Sequence, residues 1–366
     1  MSRSEAEKPL VYVGTYGLGS QQGIYVYHMD MSSGALQFVT QVPEAGENPS
    51  FLAIHPEGSS LYAVNEIADF DGKQDGAVVA FSIERDTGHL TYLNRQPSMG
   101  ATPCHLTVDN TGRFVLVANY NGGTVSVLPI REGGALGPST DSAQHSGSSI
   151  HPEHQSVPHP HSINLDSIGR HAFAADKGID KIMVYRLDTG QGKLVPHQTS
   201  SIRIRPGAGP RHFGFHPNGR HAYVINELDS TLTAFNYDAV DGTLAEIQTV
   251  STLPKGFNGI SWCADVHVSP SGRFLYGSNR GHDSIAIFAI DGHTGKLEYV
   301  GHEPTQGETP RNFAIDPTGT FLLAANQDTG TIVTFRIEPE SGNLDASGYV
   351  TKVPSPVCIK IISAYD

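Results

Sequence analysis

The sequence predicts an all-β protein, a seven-bladed β-propeller with four antiparallel strands in each blade. Three observations support this prediction: a hairpin-forming repeat recurs along the chain, a second short motif occurs seven times, and the two termini carry complementary parts of one further repeat. All-β repeats of roughly 40 to 50 residues with four strands are typical of propellers, in which closure of the ring protects the sheet edges.

The first repeat places proline, glycine and asparagine at fixed spacings. Two positions between the proline and the glycine are apolar in every copy and follow the alternation of a β-strand. A turn and a second apolar strand follow, so each copy predicts a β-hairpin. The six copies, two of them with a substituted residue, are Pro49, Gly58 and Asn65; Pro103, Gly112 and Asn119; Pro160, Gly169 and Asp176; Pro210, Gly219 and Asn226; Cys263, Gly272 and Asn279; and Pro310, Gly319 and Asn326.

The second motif, Gly-x-Leu, gives an independent count of the repeats. In most copies a strand precedes it and another follows it, which makes four strands for each unit and seven units in all. The seven copies begin at Gly34, Gly88, Gly134, Gly192, Gly242, Gly295 and Gly342.

The chain ends supply the seventh hairpin. Residues 11–15 resemble the second strand of a unit that lacks its first strand, whereas Pro356 begins a first strand after which the chain stops. Pairing of the two terminal strands would complete the seventh blade. We therefore expect a flexible tail at residues 1–9 and one propeller domain at 10–366, with a His-, Ser- and Gly-rich inter-blade loop at about 139–160, either disordered or folded over a site.

Composition excludes several classes of protein. Acidic residues outnumber basic ones by 37 to 24, a formal charge of −13, which argues against a nucleic-acid or anionic-membrane partner. No apolar run approaches the roughly 20 residues of a membrane span, and the N-terminus lacks the apolar core of a signal peptide. Three distant cysteines suit reduced thiols. We expect a cytoplasmic protein, and the oligomeric state stays open.

The hairpin geometry also predicts where a site would lie. The residue after the proline and the residue after the asparagine should meet at the open end of each hairpin, and the open ends should converge on one mouth of the central channel. These positions vary in a way that a structural repeat does not need. The pairs are Ser50/Glu66, Cys104/Tyr120, His161/Lys177, Arg211/Glu227, Ala264/Arg280 and Arg311/Gln327, and the next position adds His105, Ser162, His212, Asp265 and Asn312.

We call this group of residues at the mouth of the channel the cup. Their residue types favour acyl or proton-transfer chemistry without a cofactor. Arg211, Arg280 and Arg311 are suited to hold an anionic substrate and to stabilise an oxyanion. Glu227 and His161 are the acid/base candidates, and we expect partial burial to raise the pKa of the glutamate.

Structural interpretations of the same residues stay open. Arg211 and Glu227 could form a salt bridge that only ties a hairpin end, and His105 and His212 could be polar core residues. The histidines of the 139–160 loop lack a metal-ligand spacing, so we interpret that loop as solvated and predict no metal site.

Four segments carry a resemblance to a known family, the lactonase seven-bladed propellers, which include propeller-type 6-phosphogluconolactonases and fungal carboxy-cis,cis-muconate cyclases. The segments span residues 207–217, 223–228, 264–270 and 276–280. The loop that ends at residue 162 is also similar, although His154 and Gln155 stand where the family pattern has an Arg-Gln pair.

The resemblance implies a catalytic set of His161, Arg211, Arg280 and Glu227. It implies hydrolysis of a sugar lactone, in the first place 6-phospho-D-glucono-1,5-lactone to 6-phosphogluconate in the pentose phosphate pathway, with neither metal nor cofactor. Glu227, assisted by His161, would activate water. The substrate, a small anionic lactone or carboxylate, would also contact a second set of cup residues, which are His105, Lys177, His212, Asp265, Arg311 and Asn312.

Two alternatives stay open at this point. In a cyclase of the carboxymuconate type, the arginines would bind substrate carboxylates while an acid protonates carbon. In a non-enzymatic propeller, the fold would act as a binding scaffold, since a fold alone does not determine function.

Overall fold

Short strands separated by tight turns account for most of the chain, and they pair with their sequence neighbours in antiparallel order. The computed structural model describes residues 8–17 and 19–363. Over these residues 28 strands form seven four-stranded sheets, which confirms the predicted seven-bladed propeller. Most of the predicted N-terminal tail, residues 1–7, lies outside the described residues.

Each blade runs from an inner strand to an outer strand. The strands of the first blade are β4 (Leu52–Ile54), β5 (Ser60–Asn65), β6 (Ala77–Ile83) and β7 (Leu90–Pro97); of the second, β8 (Pro103–Val108), β9 (Phe114–Asn119), β10 (Thr124–Pro129) and β11 (Asp141–Gln144); of the third, β12 (Pro160–Leu165), β13 (His171–Asp176), β14 (Lys181–Asp188) and β15 (Lys193–Arg203); of the fourth, β16 (Pro210–Phe215), β17 (His221–Asn226), β18 (Thr231–Asp238) and β19 (Thr243–Ser251); of the fifth, β20 (Trp262–Val268), β21 (Phe274–Arg280), β22 (Ser284–Ile290) and β23 (Leu297–Pro304); of the sixth, β24 (Pro310–Ile315), β25 (Phe321–Asn326), β26 (Thr331–Ile337) and β27 (Leu344–Lys352); and of the seventh, β28 (Pro356–Ile362), β1 (Leu10–Thr15), β2 (Ile24–Met29) and β3 (Leu36–Val42). Three short 3₁₀ helices span Gly19–Gln21, Pro43–Ala45 and Glu132–Gly134.

The two chain ends close the ring. Strand β28 pairs antiparallel with β1, from Leu10 opposite Ile362 to Thr15 opposite Pro356. The seventh sheet therefore has the order β28-β1-β2-β3, as the split repeat predicts. Because β28 and β1 pair with each other, neither terminal strand is left unpaired and the ring has no gap between its first and last blades.

The Gly-x-Leu motif holds neighbouring blades together. The hydroxyl of Tyr223 in β17 donates to the carbonyl of Gly295 in the next blade at 3.1 Å, and that of Tyr276 donates to Gly342 at 2.9 Å. Tyr12 and Tyr62 make the equivalent bonds in two other blades. A Cβ on Gly295 would lie 2.5 Å from the ring of His221, so the close approach requires glycine.

In four blades the asparagine of the hairpin repeat ties the mouth end of the blade to the loop before its inner strand. The side-chain amide of Asn119 donates to the carbonyl of Ser98 at 2.9 Å, and that of Asn326 donates to Thr305 at 3.0 Å. These carbonyls belong to the loops that enter the inner strands. The residue that follows each asparagine is therefore held at the rim of the channel.

The segment at 139–160 differs from its prediction in two respects. Asp141–Gln144 forms the outer strand of the second blade, so the irregular part begins only at His145. The solvated-loop interpretation is wrong for His145 and Gln155, which are 3% and 0% exposed. His145 Nδ1 lies 2.6 Å from Asp176 Oδ2, and the Gln155 amide donates to the carbonyl of Lys177 at 2.8 Å. The loop is packed against the third blade.

None of the helices in the described part of the chain is long and apolar enough to cross a membrane.

Loss of one inter-blade tyrosine bond should destabilise the ring measurably. Tyr223→Phe leaves the buried carbonyl of Gly295 without its donor, and we expect the free energy of unfolding to fall by about 1 to 3 kcal/mol in urea denaturation. Tyr349→Phe, on an exposed ring of β27, is the control. Equal midpoints for the two variants would contradict the assigned role of the bond.

Candidate active site

A β-bulge near the start of the inner strands directs side chains into the mouth. In four blades the residue after the proline is an extra residue relative to the neighbouring strand, so the register shifts by one across Cys104, His161, Arg211 and Arg311. Bulges commonly reorient a side chain beside a functional site. The spacing of the hairpin repeat predicts that these residues lie at the mouth, but it does not predict the bulge.

Glu227 lies at the centre of the cationic cluster. Its Oε1 accepts a hydrogen bond from Lys177 Nζ at 2.7 Å, and its Oε2 accepts one from Arg211 Nε at 2.9 Å. A terminal nitrogen of Arg280 lies 3.3 Å from Oε2, and His161 Nε2 lies 4.0 Å away. The structure therefore brings the four residues of the predicted catalytic set together, with Lys177 beside them. The salt bridge between Arg211 and Glu227 is present, and it belongs to this larger cluster.

The electrostatics of Glu227 correct one expectation. Burial alone would raise the pKa of this carboxyl, but Arg280, Lys177 and Arg211 outweigh burial and hold the pKa well below its ordinary value. The expected raised pKa is therefore wrong, because the sequence showed burial and did not show three cations around one carboxylate. An acid this strong is a poor general base.

His161 has the opposite character. Burial and the nearby charge of Arg211 hold the pKa of His161 well below its ordinary value, so the ring is neutral at neutral pH. Its Nδ1 lies 3.7 Å from the sulfur of Cys104, and its Nε2 faces Glu227. A neutral imidazole can accept a proton in the space between these groups.

His212 and the backbone of Ala264 orient Arg211, and Asp265 in turn orients His212. Its Nη1 donates to His212 Nε2 at 3.1 Å and to the carbonyl of Ala264 at 2.5 Å. His212 Nδ1 lies 2.7 Å from Asp265 Oδ1, which places the histidine proton on Nδ1. Burial and the charge of Arg211 lower the pKa of His212 to about 4, so it stays neutral and can accept.

Asp265 and Asn312 lie deeper than the sequence suggests. Asp265 Oδ2 accepts from Asn312 and lies 2.9 Å from His267 Nε2, and Asn312 Oδ1 accepts from the amide of Ile359 at 2.7 Å. Both side chains are almost fully buried, at 3% and 2% exposure. Their placement supports a role in positioning His212 and does not support direct contact with substrate.

His105 is buried among aromatic and backbone partners. Its ring packs on Phe51 with centroids 4.2 Å apart, and its Nδ1 accepts from the amide of Ile163 at 3.4 Å. The rings of His105 and His161 each lie about 5.5 Å from that of His212. The core interpretation therefore describes His105 better than a substrate contact does.

A second cluster across the channel contains Tyr16, which the sequence analysis did not identify. Arg311 donates to the hydroxyl of Tyr16 at 3.0 Å, and that hydroxyl donates to Glu66 Oε2 at 2.6 Å. Ser50 donates to the same carboxylate oxygen at 2.5 Å. Tyr16 follows β1 just as Glu66 follows β5, so the repeat register, applied to the closing blade, would have found it.

The two clusters border a narrow cavity and carry a surplus of positive charge. The cavity is small, with a volume of about 10 Å³, and is lined by residues that include Tyr16, Glu66, Cys104, Arg211 and Arg311. Four cationic side chains, those of Arg211, Arg280, Arg311 and Lys177, face two carboxylates at the mouth. Among the described residues, no three His, Cys, Asp or Glu side chains lie together as metal ligands would. The four cationic side chains make the mouth suited to bind an anion.

Comparison with known proteins agrees with this geometry. A family model described as Lactonase, 7-bladed beta-propeller, matches residues 10–361. The chain is 39% identical over 355 residues to a 6-phosphogluconolactonase of Bacillus subtilis, which covers 97% of this chain and 99% of that protein. A 6-phosphogluconolactonase of Formosa agariphila is 38% identical over 298 residues, 80% and 82% of the two chains.

A solved structure of similar fold comes from Pseudomonas aeruginosa. This periplasmic gluconolactonase is 32% identical and aligns with a TM-score of 0.91 over 97% of this chain and 99% of its own. The family-model match runs from the first strand to the last, and the Bacillus subtilis relative covers almost the whole chain. The chain therefore belongs to the lactonase family of seven-bladed β-propellers.

Proposed function

We propose that this protein hydrolyses an anionic sugar lactone, in the first place 6-phospho-D-glucono-1,5-lactone, at the mouth of the channel. The observation that carries the proposal is the group of four cations around two carboxylates, a formal surplus of two positive charges. A phosphate group matches that surplus, and the names of the relatives support a lactone as the reacting group. The three cysteines are free and buried, which suits a reducing compartment, so the proposal places the reaction in the cytoplasm.

The arginines have two tasks in this proposal. Arg211 is held by Glu227, His212 and a backbone carbonyl, so its guanidinium is oriented before the substrate arrives. Oriented donors of this kind stabilise the oxyanion that forms when water attacks the lactone carbonyl. Arg280, Lys177 and Arg311 are the partners of the phosphate, since each presents a cation at the rim.

We assign the general base to His161 rather than to Glu227. Two hydrogen bonds of about 2.8 Å can meet at one water beside the 4.0 Å gap between His161 Nε2 and Glu227 Oε2. His161 accepts a proton as this water attacks the carbonyl carbon, and Glu227, which stays ionised, stabilises the imidazolium. The imidazolium then protonates the ring oxygen as the bond between that oxygen and the carbonyl carbon breaks.

The first test is turnover of fresh lactone, followed by NMR or pH-stat against the spontaneous rate. We expect the wild-type rate to exceed the spontaneous rate and His161→Asn to lower kcat by about 100-fold or more, because a general base is lost. Glu298→Gln, on the exposed face of β23, is the matched surface control. A wild-type rate equal to the spontaneous one would overturn the lactonase proposal and direct the assay to carboxymuconates.

The pH profile tests the protonation state assigned to His161. Because the pKa of His161 is lowered, its neutral form persists below the ordinary pKa of about 6.5. We therefore expect kcat/KM to be level between about pH 6 and pH 8 and to fall only at lower pH, as His161 gains a proton. An inflection near pH 6.5 or above would contradict this environment for the histidine.

Removal of the central carboxylate should affect stability as well as activity. Glu227→Gln leaves three cations without their counter-ion, and we expect about 3 kcal/mol of lost stability together with a large fall in kcat. Since the pKa of Glu227 is lowered, this difference from wild type is fully present above about pH 4.3 and shrinks as the pH falls.

Inorganic phosphate provides the decisive comparison for that variant. An anion bound among the three cations replaces the missing charge, so phosphate should raise the melting temperature of Glu227→Gln more than that of wild type. Equal stability of the two proteins, with no differential response to phosphate, would show that the cluster does not depend on this carboxylate.

A further inference from the structure

One large aromatic side chain at the rim has no part in the proposed reaction. Trp262, the only tryptophan of the chain, begins β20 and is 43% exposed. It pairs in register with Arg280 across the hairpin. The next residue, Cys263, accepts a hydrogen bond from Arg280 through its carbonyl at 2.8 Å and donates its amide to the carbonyl of Glu227 at 3.3 Å. The backbone that carries the indole therefore lies beside Arg280 and Glu227, two members of the ionic cluster.

The loop that follows the second blade brings a second ring to the same place. His154 meets the indole of Trp262 edge to face, with ring centroids 5.9 Å apart and an interplanar angle of 83°. The loop is held there by the buried amide of Gln155, which bonds to the carbonyl of Lys177, and by Ser149, which donates to Asp180 at 2.5 Å. Burial and the charge of Lys177 both lower the pKa of His154, in keeping with this position.

Other aromatic rings at the mouth are already covered by cations. Lys177 Nζ lies 5.5 Å from the ring centre of Tyr120, whose ring also stacks on His159 at 4.3 Å. The guanidinium of Arg311 lies 5.3 Å from the ring centre of Tyr16. For Trp262 the structure gives one ring contact, with His154, over the described part of the mouth.

We propose that Trp262 and His154 form the outer wall of the substrate site and pack against the C–H face of the sugar ring. Apolar and aromatic surface beside a few oriented charges is the usual composition of a small-molecule site. The wall would favour a substrate that joins an anionic group to a saturated ring over an anion without such a ring. This assignment rests on the proposed function of the ionic cluster, which supplies the other side of the site.

The single tryptophan makes the wall directly observable. We expect a saturable change in the fluorescence of Trp262 on titration with 6-phosphogluconate, the stable product. Inorganic phosphate at the same ionic strength should leave the fluorescence unchanged. The titration is repeated with His154→Ala, for which we expect binding weaker by about three-fold or more. A titration with 6-phosphogluconate that leaves the emission unchanged while the product inhibits turnover would overturn the wall.

Steady-state kinetics give the second measurement. Trp262→Ala should raise KM for 6-phosphogluconolactone by about ten-fold or more with kcat changed by less than three-fold, and Trp262→Phe should fall between this variant and wild type. Tyr349→Ala, which removes an equally exposed ring from the outer strand β27, should match wild type. A wild-type KM for Trp262→Ala would overturn the proposal while leaving the lactonase function intact.

The two proposals fail in distinguishable ways. A wild-type protein that hydrolyses no lactone but shows the fluorescence change with 6-phosphogluconate would keep the wall and remove the reaction. Absence of both turnover and fluorescence change would remove both.

Discussion

The buried carboxylate of Glu227 is the interaction on which the mouth of this propeller depends. Lys177 comes from the third blade, Arg211 from the fourth and Arg280 from the fifth, and all three lie within 3.3 Å of its oxygens. Without that negative charge, the cations would repel one another in a site of low dielectric. With it, three successive blades are joined, and the cations are oriented before a substrate anion binds, so less side-chain entropy is lost on binding.

A chain of neutral and charged partners extends this order into the channel. Asp265 accepts a hydrogen bond from Nδ1–H of His212, which leaves Nε2 to accept from Arg211, and Arg211 in turn donates to Glu227. The order works only if His212 is neutral, because a protonated ring could not accept from a guanidinium. The pKa of His212, lowered to about 4, preserves that acceptor throughout the neutral range. Asp265 therefore influences the site without touching it.

Local spacing was sufficient to predict the propeller, its closure and the residues at its mouth, because strand alternation and turn residues are local signals. The roles of those residues could not be predicted in the same way. The lowered pKa of Glu227 depends on side chains from three blades, and the burial of Asp265 depends on partners from the fifth and sixth. No short motif predicts the bulge at His161 or the contact of Tyr16 with Arg311, which joins residues 295 positions apart.

One departure from the repeat explains how the long segment after the second blade is held against the third blade. Asp176 replaces the asparagine found in the other five copies of the repeat, and a carboxylate can only accept hydrogen bonds. It accepts from the amides of His159 and Gly178 at 2.7 and 3.0 Å and pairs with the buried ring of His145. The position that in four other blades ties the blade to its own loop thus binds the long segment that carries His154 towards Trp262. The proposed wall lies where the structural repeat is broken, since identical repeats would leave the mouth symmetric.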